Sequence, residues 1–160
     1  MLQNFLKKFK KKENRIHHFI FIESTMDVVV PQVVFWGEAG WWPLESGLQV
    51  TRKTPGDIRV GTQYEQCIKA FLSCTFDVEI TQFEPNRVIE KTFVRGFIKG
   101  RESLTIESRY NGTKVMYEMV YDIKGFMNKI LWFWFKEIHE ESMKMVLEAL
   151  KSYCQAQKRL

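Results

Sequence analysis

The chain has 160 residues, of which 45% are hydrophobic and 14% aromatic, and its formal net charge is +5. This length and composition indicate one globular domain with a sizeable core. Six of the 24 basic side chains but only one of the 19 acidic ones lie in residues 1–15, so the rest of the chain is balanced in charge. A balanced body argues against a nucleic-acid-binding groove, because such grooves need clustered Lys and Arg.

The cysteines and the hydropathy pattern favour a cytoplasmic protein. No CxxC motif or cysteine–histidine spacing suggests zinc, so we expect buried, reduced thiols at Cys67, Cys74 and Cys154. Reduced thiols fit a reducing compartment. No apolar run reaches the roughly 20 residues of a membrane span. The first residues also lack the apolar core of a secretory signal.

Residues 1–15 form a separate basic segment, and residues 16–160 form the predicted domain. In the basic segment, apolar residues recur at helical spacing and lysines occupy the other faces. This pattern is typical of a helix that lies on an anionic membrane surface. The candidate membrane contacts are Phe5, Leu6, Lys7, Lys8 and Phe9. The alternatives are a frayed leader and a helix packed on its own domain.

A strand and two short helices are predicted next. Residues 17 to about 29 are rich in β-branched and aromatic side chains and indicate a strand. Pro31 suits a first helical position, so we expect a short helix over residues 32–38. The aromatic cluster around Trp42 then breaks that helix, at a second short helix or a turn.

The middle of the chain predicts a run of antiparallel strands. The strand-like segments are 48–53, 61–70, 75–83, 88–94, 99–110 and 114–123. Short turn signals rich in Pro, Gly and Asn separate several of them. Connections this short require antiparallel pairing, and no helical run interrupts the strands, so a βαβ architecture is excluded.

Asn111-Gly112 is the strongest turn signal and predicts a two-residue hairpin of type I′. That turn pairs Ile106 with Tyr117, Leu104 with Met119, and Glu102 with Tyr121. These pairs share one face, which we expect to be the buried one. A single curved sheet with one buried face then needs a helix to cover it.

Residues 128–160 predict one long helix that provides this cover. Its apolar face is wide and consists of Leu131, Phe135, Ile138, Ser142, Met145, Ala149 and Tyr153, extended by Trp134, Val146 and Leu150. Ser142 and Ala149 are small and lie at its centre, where close packing would call for bulk. We therefore expect the helix to cover a cavity.

The aromatic run 132–135 cannot face the core as a whole, because four consecutive helical residues point all round the axis. We expect Phe133 to face outward. An exposed aromatic there suggests contact with a partner subunit, a membrane or the basic N-terminal segment.

Short motifs follow one another along the chain: Val30-Pro31, Trp41-Trp42-Pro43, Val60-Gly61-Thr62, Val78-Glu79-Ile80, Glu84-Pro85-Asn86-Arg87, Gly96, Gly100-Arg101, Gly112-Thr113-Lys114-Val115 and the closing helix with His139. Their order and spacing resemble the START / polyketide-cyclase superfamily, also called SRPBCC, with its fold shared with the birch-pollen allergens. The resemblance covers roughly residues 16–153. It implies an α+β helix-grip fold, with two short helices after strand one and a curved antiparallel sheet of about six to seven strands wrapped on a long C-terminal helix.

The resemblance also implies a function. Members bind lipids or other hydrophobic molecules in an internal cavity, and some are aromatase/cyclases or hydratases. We expect a binder of a hydrophobic small molecule, a lipid or a polycyclic, polyketide-like compound. The alternatives are a cyclase/dehydratase-type enzyme that uses the same cavity, and a cavity-less protein that contacts a membrane or partner through the basic N-terminus. A shared fold does not decide among them.

The candidate cavity residues combine apolar side chains with a few polar groups. They are Trp42, Tyr64, Ile68, Glu102, Leu104, Ile106, Tyr117, Met119, Tyr121, Phe135, Ile138, His139, Ser142 and Met145. Glu102 and His139 are the candidate acid–base groups, because an inward carboxylate in an apolar space has an altered pKa or a partner. The alternatives are a Glu102 side chain at the open end of the strand, in water or paired with Arg101 or a nearby lysine, and a boundary His139 bonded to a neighbouring side chain or to water.

No metal site or cofactor is predicted. His17 and His18 are adjacent on a strand and point to opposite faces, so they cannot chelate one ion together. No phosphate-binding glycine loop or dinucleotide motif is present. The protein is expected to be a monomer or a homodimer.

Overall fold

The computed structural model describes residues 13–157, and the elements below lie in that part of the chain. In chain order they are β1 (Asn14–Ile22), α1 (Met26–Val34), a 3₁₀ helix (Leu44–Ser46), β2 (Leu48–Arg52), β3 (Gln63–Lys69), β4 (Ser73–Glu84), β5 (Val88–Arg95), β6 (Ile98–Arg109), β7 (Gly112–Ile123) and α2 (Phe126–Gln157). The six strand segments predicted after the short helices all appear, with ends shifted by at most two residues.

The seven strands form one antiparallel sheet in the order β1-β7-β6-β5-β4-β3-β2. Strands β2 to β7 are a simple meander, and β1 joins the far edge beside β7. The sheet curls around α2, which contacts β1 at one edge and β3 near the other. The predicted helix-grip architecture is confirmed. No helix among the described residues is long and apolar enough to cross a membrane.

One face of the sheet packs on α2 and carries the core. On β3, Tyr64 and Ile68 are buried and alternate with partly exposed neighbours. On β7, Val115, Tyr117 and Met119 do the same. This period of two is the property of a half-buried strand, and it fixes which residues enter the interior.

The first short helix begins earlier than predicted. Strand β1 ends at Ile22, α1 begins at Met26, and Pro31 lies inside the helix rather than at its first position. The valine run indicated a strand because β-branched residues favour strands. In the structure Val29 and Val33, four residues apart, are both fully buried on one helical face, so tertiary packing outweighs local propensity. The second short helix is the 3₁₀ turn Leu44–Ser46.

The β6–β7 hairpin has a different register from the predicted one. Arg109 pairs with Gly112, so the two central residues are Tyr110 and Asn111, and neither has a positive φ. The type I′ prediction is therefore wrong. Gly112 is needed for another reason: a Cβ there would lie 2.1 Å from the carbonyl oxygen of Ile22, at the end of β1.

The corrected register moves each partner by two residues. Glu102 lies opposite Met119, Leu104 opposite Tyr117, and Ile106 opposite Val115, while Tyr121 lies opposite Gly100. A shift of two leaves every side chain on its predicted face. Glu102 is accordingly buried, as expected.

The buried face of α2 is rotated from the predicted one. It consists of Trp132, Phe135, His139, Ser142, Met143, Val146, Leu147, Leu150 and Cys154. Met145 is 39% exposed and Trp134 63% exposed, so both predictions are wrong. His139, which was expected at the edge, lies well inside the buried face. Apolar residues occur on both sides of the helix near its start, and the pattern alone could not locate the centre of the face.

Candidate functional site

Five polar side chains from five elements meet inside the sheet–helix interface. They are Gln66 of β3, Lys91 of β5, Glu102 of β6, Tyr117 of β7 and His139 of α2, and all are buried. We call them the polar cluster. Each strand contributes its residue from an inward position, so the cluster is a consequence of sheet register.

Glu102 is the centre of the polar cluster. Its Oε1 accepts a hydrogen bond from Gln66 Nε2 at 2.6 Å, and its Oε2 accepts one from the Tyr117 hydroxyl at 3.1 Å. Lys91 Nζ lies 3.6 Å from Oε1. The ammonium also lies 4.9 Å from the centre of the Tyr64 ring. Burying two opposite charges is tolerable only with such partners, because each ion loses its hydration.

Tyr117 connects the carboxylate to α2. Its hydroxyl oxygen lies 3.4 Å from His139 Nε2. Burial, with the nearby Glu102 charge, raises the pKa of Tyr117 well above its usual value, so the hydroxyl stays protonated. Because that proton is donated to Glu102, the hydroxyl oxygen accepts from His139, which places the imidazole proton on Nε2.

His139 is neutral at ordinary pH. Burial, reinforced by His18, lowers the pKa of His139 to about 4. With Nε2 protonated, Nδ1 is a bare acceptor, and within residues 13–157 it has no hydrogen-bond partner.

The neighbouring Trp132 presents the complementary group. Its indole Nε1–H is buried and also lacks a partner among the described residues. The Trp132 and His139 ring centres are 5.9 Å apart. Buried polar atoms are nearly always paired, so an adjacent donor and acceptor that are both unpaired require an explanation. His18 Nε2 on β1 is a third such atom.

Most of the residues predicted to line a cavity lie in the interior. The buried ones are Trp42, Tyr64, Ile68, Glu102, Leu104, Ile106, Tyr117, Met119, Tyr121, Phe135, His139 and Ser142. Ile138 is half-buried, and Met145 is off the face. The Trp42 indole N–H is already bonded to the Leu48 carbonyl at 2.9 Å.

Ser142 has a structural contact. Its hydroxyl lies 2.5 Å from the Ser46 carbonyl oxygen and 2.7 Å from that of Ile138. The small residue thus joins α2 to the 3₁₀ turn. The candidate membrane contacts Phe5, Leu6, Lys7, Lys8 and Phe9 lie outside the described residues.

Sequence reasoning missed three residues of this site: Gln66, Lys91 and Trp132. Alternation could have found two of them, since Gln66 stands between inward Tyr64 and Ile68, and Lys91 between Ile89 and Phe93. No comparable signal singles out Trp132 within its aromatic run.

The polar cluster is separate from the open grooves of the surface. One groove of about 590 Å³ is lined by residues of β1, β5, β6 and β7, including Arg101 and Asp122. A wider one, of about 1400 Å³, lies beside the β6–β7 hairpin and the start of α1. A third lies along β2 near Arg52. None of the three is lined by a residue of the polar cluster.

The arrangement is suited to hydrogen bonding and proton transfer. Glu102, Tyr117 and His139 form a continuous chain that ends at an unpaired nitrogen. Residues 13–157 contain no group of three or more His, Cys, Asp or Glu that could hold a metal ion.

Sequence comparison finds no match for this chain: no family model fits it, and no curated protein sequence matches it. Comparison of structures does find likenesses. The protein TTHA0849 from Thermus thermophilus has a TM-score of 0.70 at 13% identity, covering 90% of this chain and 99% of that protein.

Two further structures are informative about the fold. The Zhui aromatase/cyclase from a Streptomyces species has a TM-score of 0.67 at 11% identity, covering 89% of this chain and 94% of that one. Ara h 8.0201 has a TM-score of 0.64 at 10% identity, covering 90% and 99%. At these identities the likeness establishes the fold. The chain has the helix-grip, Bet v 1-like fold that the resemblance implied.

Proposed function

We propose that this helix-grip domain binds an apolar small molecule, a lipid or polycyclic compound, between the sheet and α2. The polar cluster, which includes His139, and the neighbouring Trp132 would fix the orientation of that molecule. The supporting observation is a buried donor near a buried acceptor, Trp132 Nε1–H and His139 Nδ1, neither of which has a partner within residues 13–157.

This pair of atoms defines the polar group of the ligand. A hydroxyl can accept a hydrogen bond from Trp132 and donate one to His139, so we expect an apolar molecule that carries a hydroxyl. An unpaired buried polar group costs about 1–3 kcal/mol, which such a ligand would recover. The remaining affinity would come from apolar area removed from water, at about 25 cal/mol per Å².

We expect binding to involve movement of the protein. None of the three grooves described above is lined by a residue of the polar cluster. If interior side chains move to admit the ligand, association should be slower than the diffusion limit.

The matched probes 2-naphthol and naphthalene test this proposal, because they differ by one hydroxyl. We expect the protein to bind 2-naphthol about tenfold more tightly in calorimetric titration, since each net hydrogen bond contributes about 1 kcal/mol. Native mass spectrometry of freshly purified protein should also show a bound mass. Equal affinity for the two probes, or no binding of either, would contradict the proposal.

Two tryptophans provide a matched pair of variants. Trp132→Phe removes the buried donor but keeps an aromatic ring, whereas Trp134→Phe makes the same change at a side chain that is 63% exposed. The preference for 2-naphthol should fall to about threefold or less in the first variant and persist in the second.

A second candidate function is catalysis of the cyclase/dehydratase type. The observation in its favour is the chain from Glu102 through Tyr117 to neutral His139, which could move a proton at a bound polycarbonyl substrate. A catalyst should lose turnover by about a hundredfold or more in Glu102→Gln and Tyr117→Phe. A simple binder should tolerate both changes with a modest loss of affinity.

Contact of the basic N-terminal segment with a membrane stays a separate prediction. It requires that vesicle binding weaken with salt and fail when residues 1–12 are removed.

A further inference from the structure

The start of α2 carries a row of exposed apolar side chains. Phe126, Met127 and Phe133 are 76%, 72% and 75% exposed, Trp134 63% and Ile130 43%. We call these five residues the outer stripe. At about 100° per residue they fall within one sector of about 120°, opposite the buried Trp132, Phe135 and His139.

The outer stripe ends abruptly. From the next turn on, the outward positions of α2 are charged and exposed: Glu137, Glu141, Lys144 and Glu148. The apolar surface is therefore a local feature of the first turns and not a property of the whole helix. A contiguous exposed apolar patch of this kind marks a contact with another surface.

The outer stripe has basic side chains at its N-terminal end, whereas Glu137 and Glu141 follow it on α2. Lys124 and Lys129 are exposed beside it, and Lys99 is exposed next to Lys124. The Lys124 ammonium lowers the pKa of Lys99, and Asp122 opposes this as a smaller effect. Two ammonium groups held side by side favour an anionic group between them.

Strand β1 begins near this end of the molecule, since Asn14 pairs with Tyr121, five residues before α2 begins. Residues 1–12 precede β1 in the sequence and lie outside the described residues. Those residues contain five lysines and no acidic side chain.

The lysines beside the outer stripe favour one of the surfaces that could cover it over the others. Residues 1–12 folded over it, or a second copy of this end, would bring lysines against lysines. An anionic bilayer satisfies both features, since phosphates pair with lysines and the boundary between headgroups and acyl chains accepts Trp and Phe.

We propose that the start of α2 docks on an anionic lipid bilayer, with the outer stripe at the headgroup–acyl boundary and Lys99, Lys124 and Lys129 against the phosphates. This contact is peripheral and independent of the ligand proposed for the interior. It places the Trp132–His139 end of the interior next to the lipid.

Vesicle co-sedimentation of the full chain tests the proposal. With phosphatidylcholine–phosphatidylserine vesicles, we expect Phe133→Ser/Trp134→Ser to lower the partition coefficient about tenfold or more, because two anchors lose their apolar area. The control is Tyr110→Ser, which removes an aromatic side chain that is 100% exposed at the β6–β7 hairpin, at the opposite end of β7 from α2, and it should bind like the wild type. If the double variant fails to fold, Phe126→Ser takes its place.

The lipid and salt dependence completes the test. Binding should be weak on pure phosphatidylcholine, and it should fall on going from about 0.1 M to about 1 M salt, where the Debye length shrinks to about 3 Å. Equal partition of wild type and stripe variant would overturn the proposal in favour of the N-terminal segment alone. Absence of vesicle binding, with a dimer that the double variant dissociates, would overturn it in favour of a second copy.

Discussion

Helix α2 has two parts, the first over residues 126–142 and the second over residues 143–157, and they differ in the side chains on their inward and outward faces. From Met143 to Gln157 the inward face is Met143, Val146, Leu147, Leu150 and Cys154, all buried and apolar, while the outward face is mainly charged. From Phe126 to Ser142 the inward face carries Trp132 and His139, each with a polar atom that has no partner within residues 13–157, and the outward face carries the outer stripe.

The comparison shows which features of α2 the fold requires. An amphipathic helix that covers a sheet needs the pattern of the second part. The first part departs from that pattern on both faces, since buried polar atoms there lack partners among the described residues and apolar side chains are exposed. Departures from local rules without a structural gain are expected at functional sites.

The largest expected effect comes from the ion pair that faces the first part. Lys91→Met leaves Glu102 buried without its cation, and should lower the free energy of unfolding by roughly 3–5 kcal/mol. Lys91→Met combined with Glu102→Gln should be less destabilised than Lys91→Met alone. Urea unfolding of the single and double variants measures this, and strictly additive losses would show that the two groups do not interact.

A core truncation in the second part should affect stability alone. Leu150 is fully buried, so Leu150→Ala should cost roughly 3–4 kcal/mol in the free energy of unfolding. At a temperature where the variant is folded, its affinity for 2-naphthol and for vesicles should match the wild type. A selective loss of either affinity would remove the distinction between the two parts.

The sheet was the most predictable region. Alternation of buried and exposed residues, as at Tyr64 and Ile68 of β3, and short turns predicted β2 to β7 to within two residues, whereas the end of β1 was missed by about seven. The hairpin register was not predictable, because Gly112 is required by contact with Ile22, which is far away in sequence. The start of α1 was missed for a related reason: helical packing of Val29 and Val33 overrides their strand propensity.

In the candidate site, the orientation of residues on strands was predicted correctly, and the orientation of His139 on α2 was not. Glu102 and Tyr117 were placed inward correctly, since an error of two residues preserves the face. His139 was placed at the edge of the helical face and Trp134 within it, because the outer stripe adds apolar residues to the wrong side of the pattern. The exposed apolar side chains of the outer stripe therefore obscured the orientation of this part of the helix.

A pH dependence of stability should report the buried imidazole in the first part. Burial lowers the pKa of His139 from 6.5 to about 4, so between these values the unfolded chain binds a proton that the folded protein does not. The free energy of unfolding should therefore be highest above pH 6.5 and should fall as the pH is lowered toward 4. The total loss due to His139 should be about 3 kcal/mol.

The control for this measurement is His139→Gln, which should show a smaller loss over the same range. Asp77 does not interfere, because its bond to Arg95 lowers its pKa from 3.8 to about 2, and the stability it contributes is lost below pH 4. Identical pH profiles for wild type and variant would mean that His139 is not a buried neutral base.

The smallest effect on stability is expected at the outer stripe, and it is the sharpest test of the comparison. Phe133→Ser/Trp134→Ser removes two side chains that are 75% and 63% exposed, so the free energy of unfolding should change by less than about 0.5 kcal/mol. Truncation of a tryptophan in a protein core usually lowers the free energy of unfolding by about 3–5 kcal/mol. Near-neutral stability together with lost vesicle binding would mean that these residues serve an external surface. A loss of several kcal/mol, measured by urea unfolding without lipid, would mean instead that the protein itself covers them, and the two parts of α2 would then differ only in what they pack against.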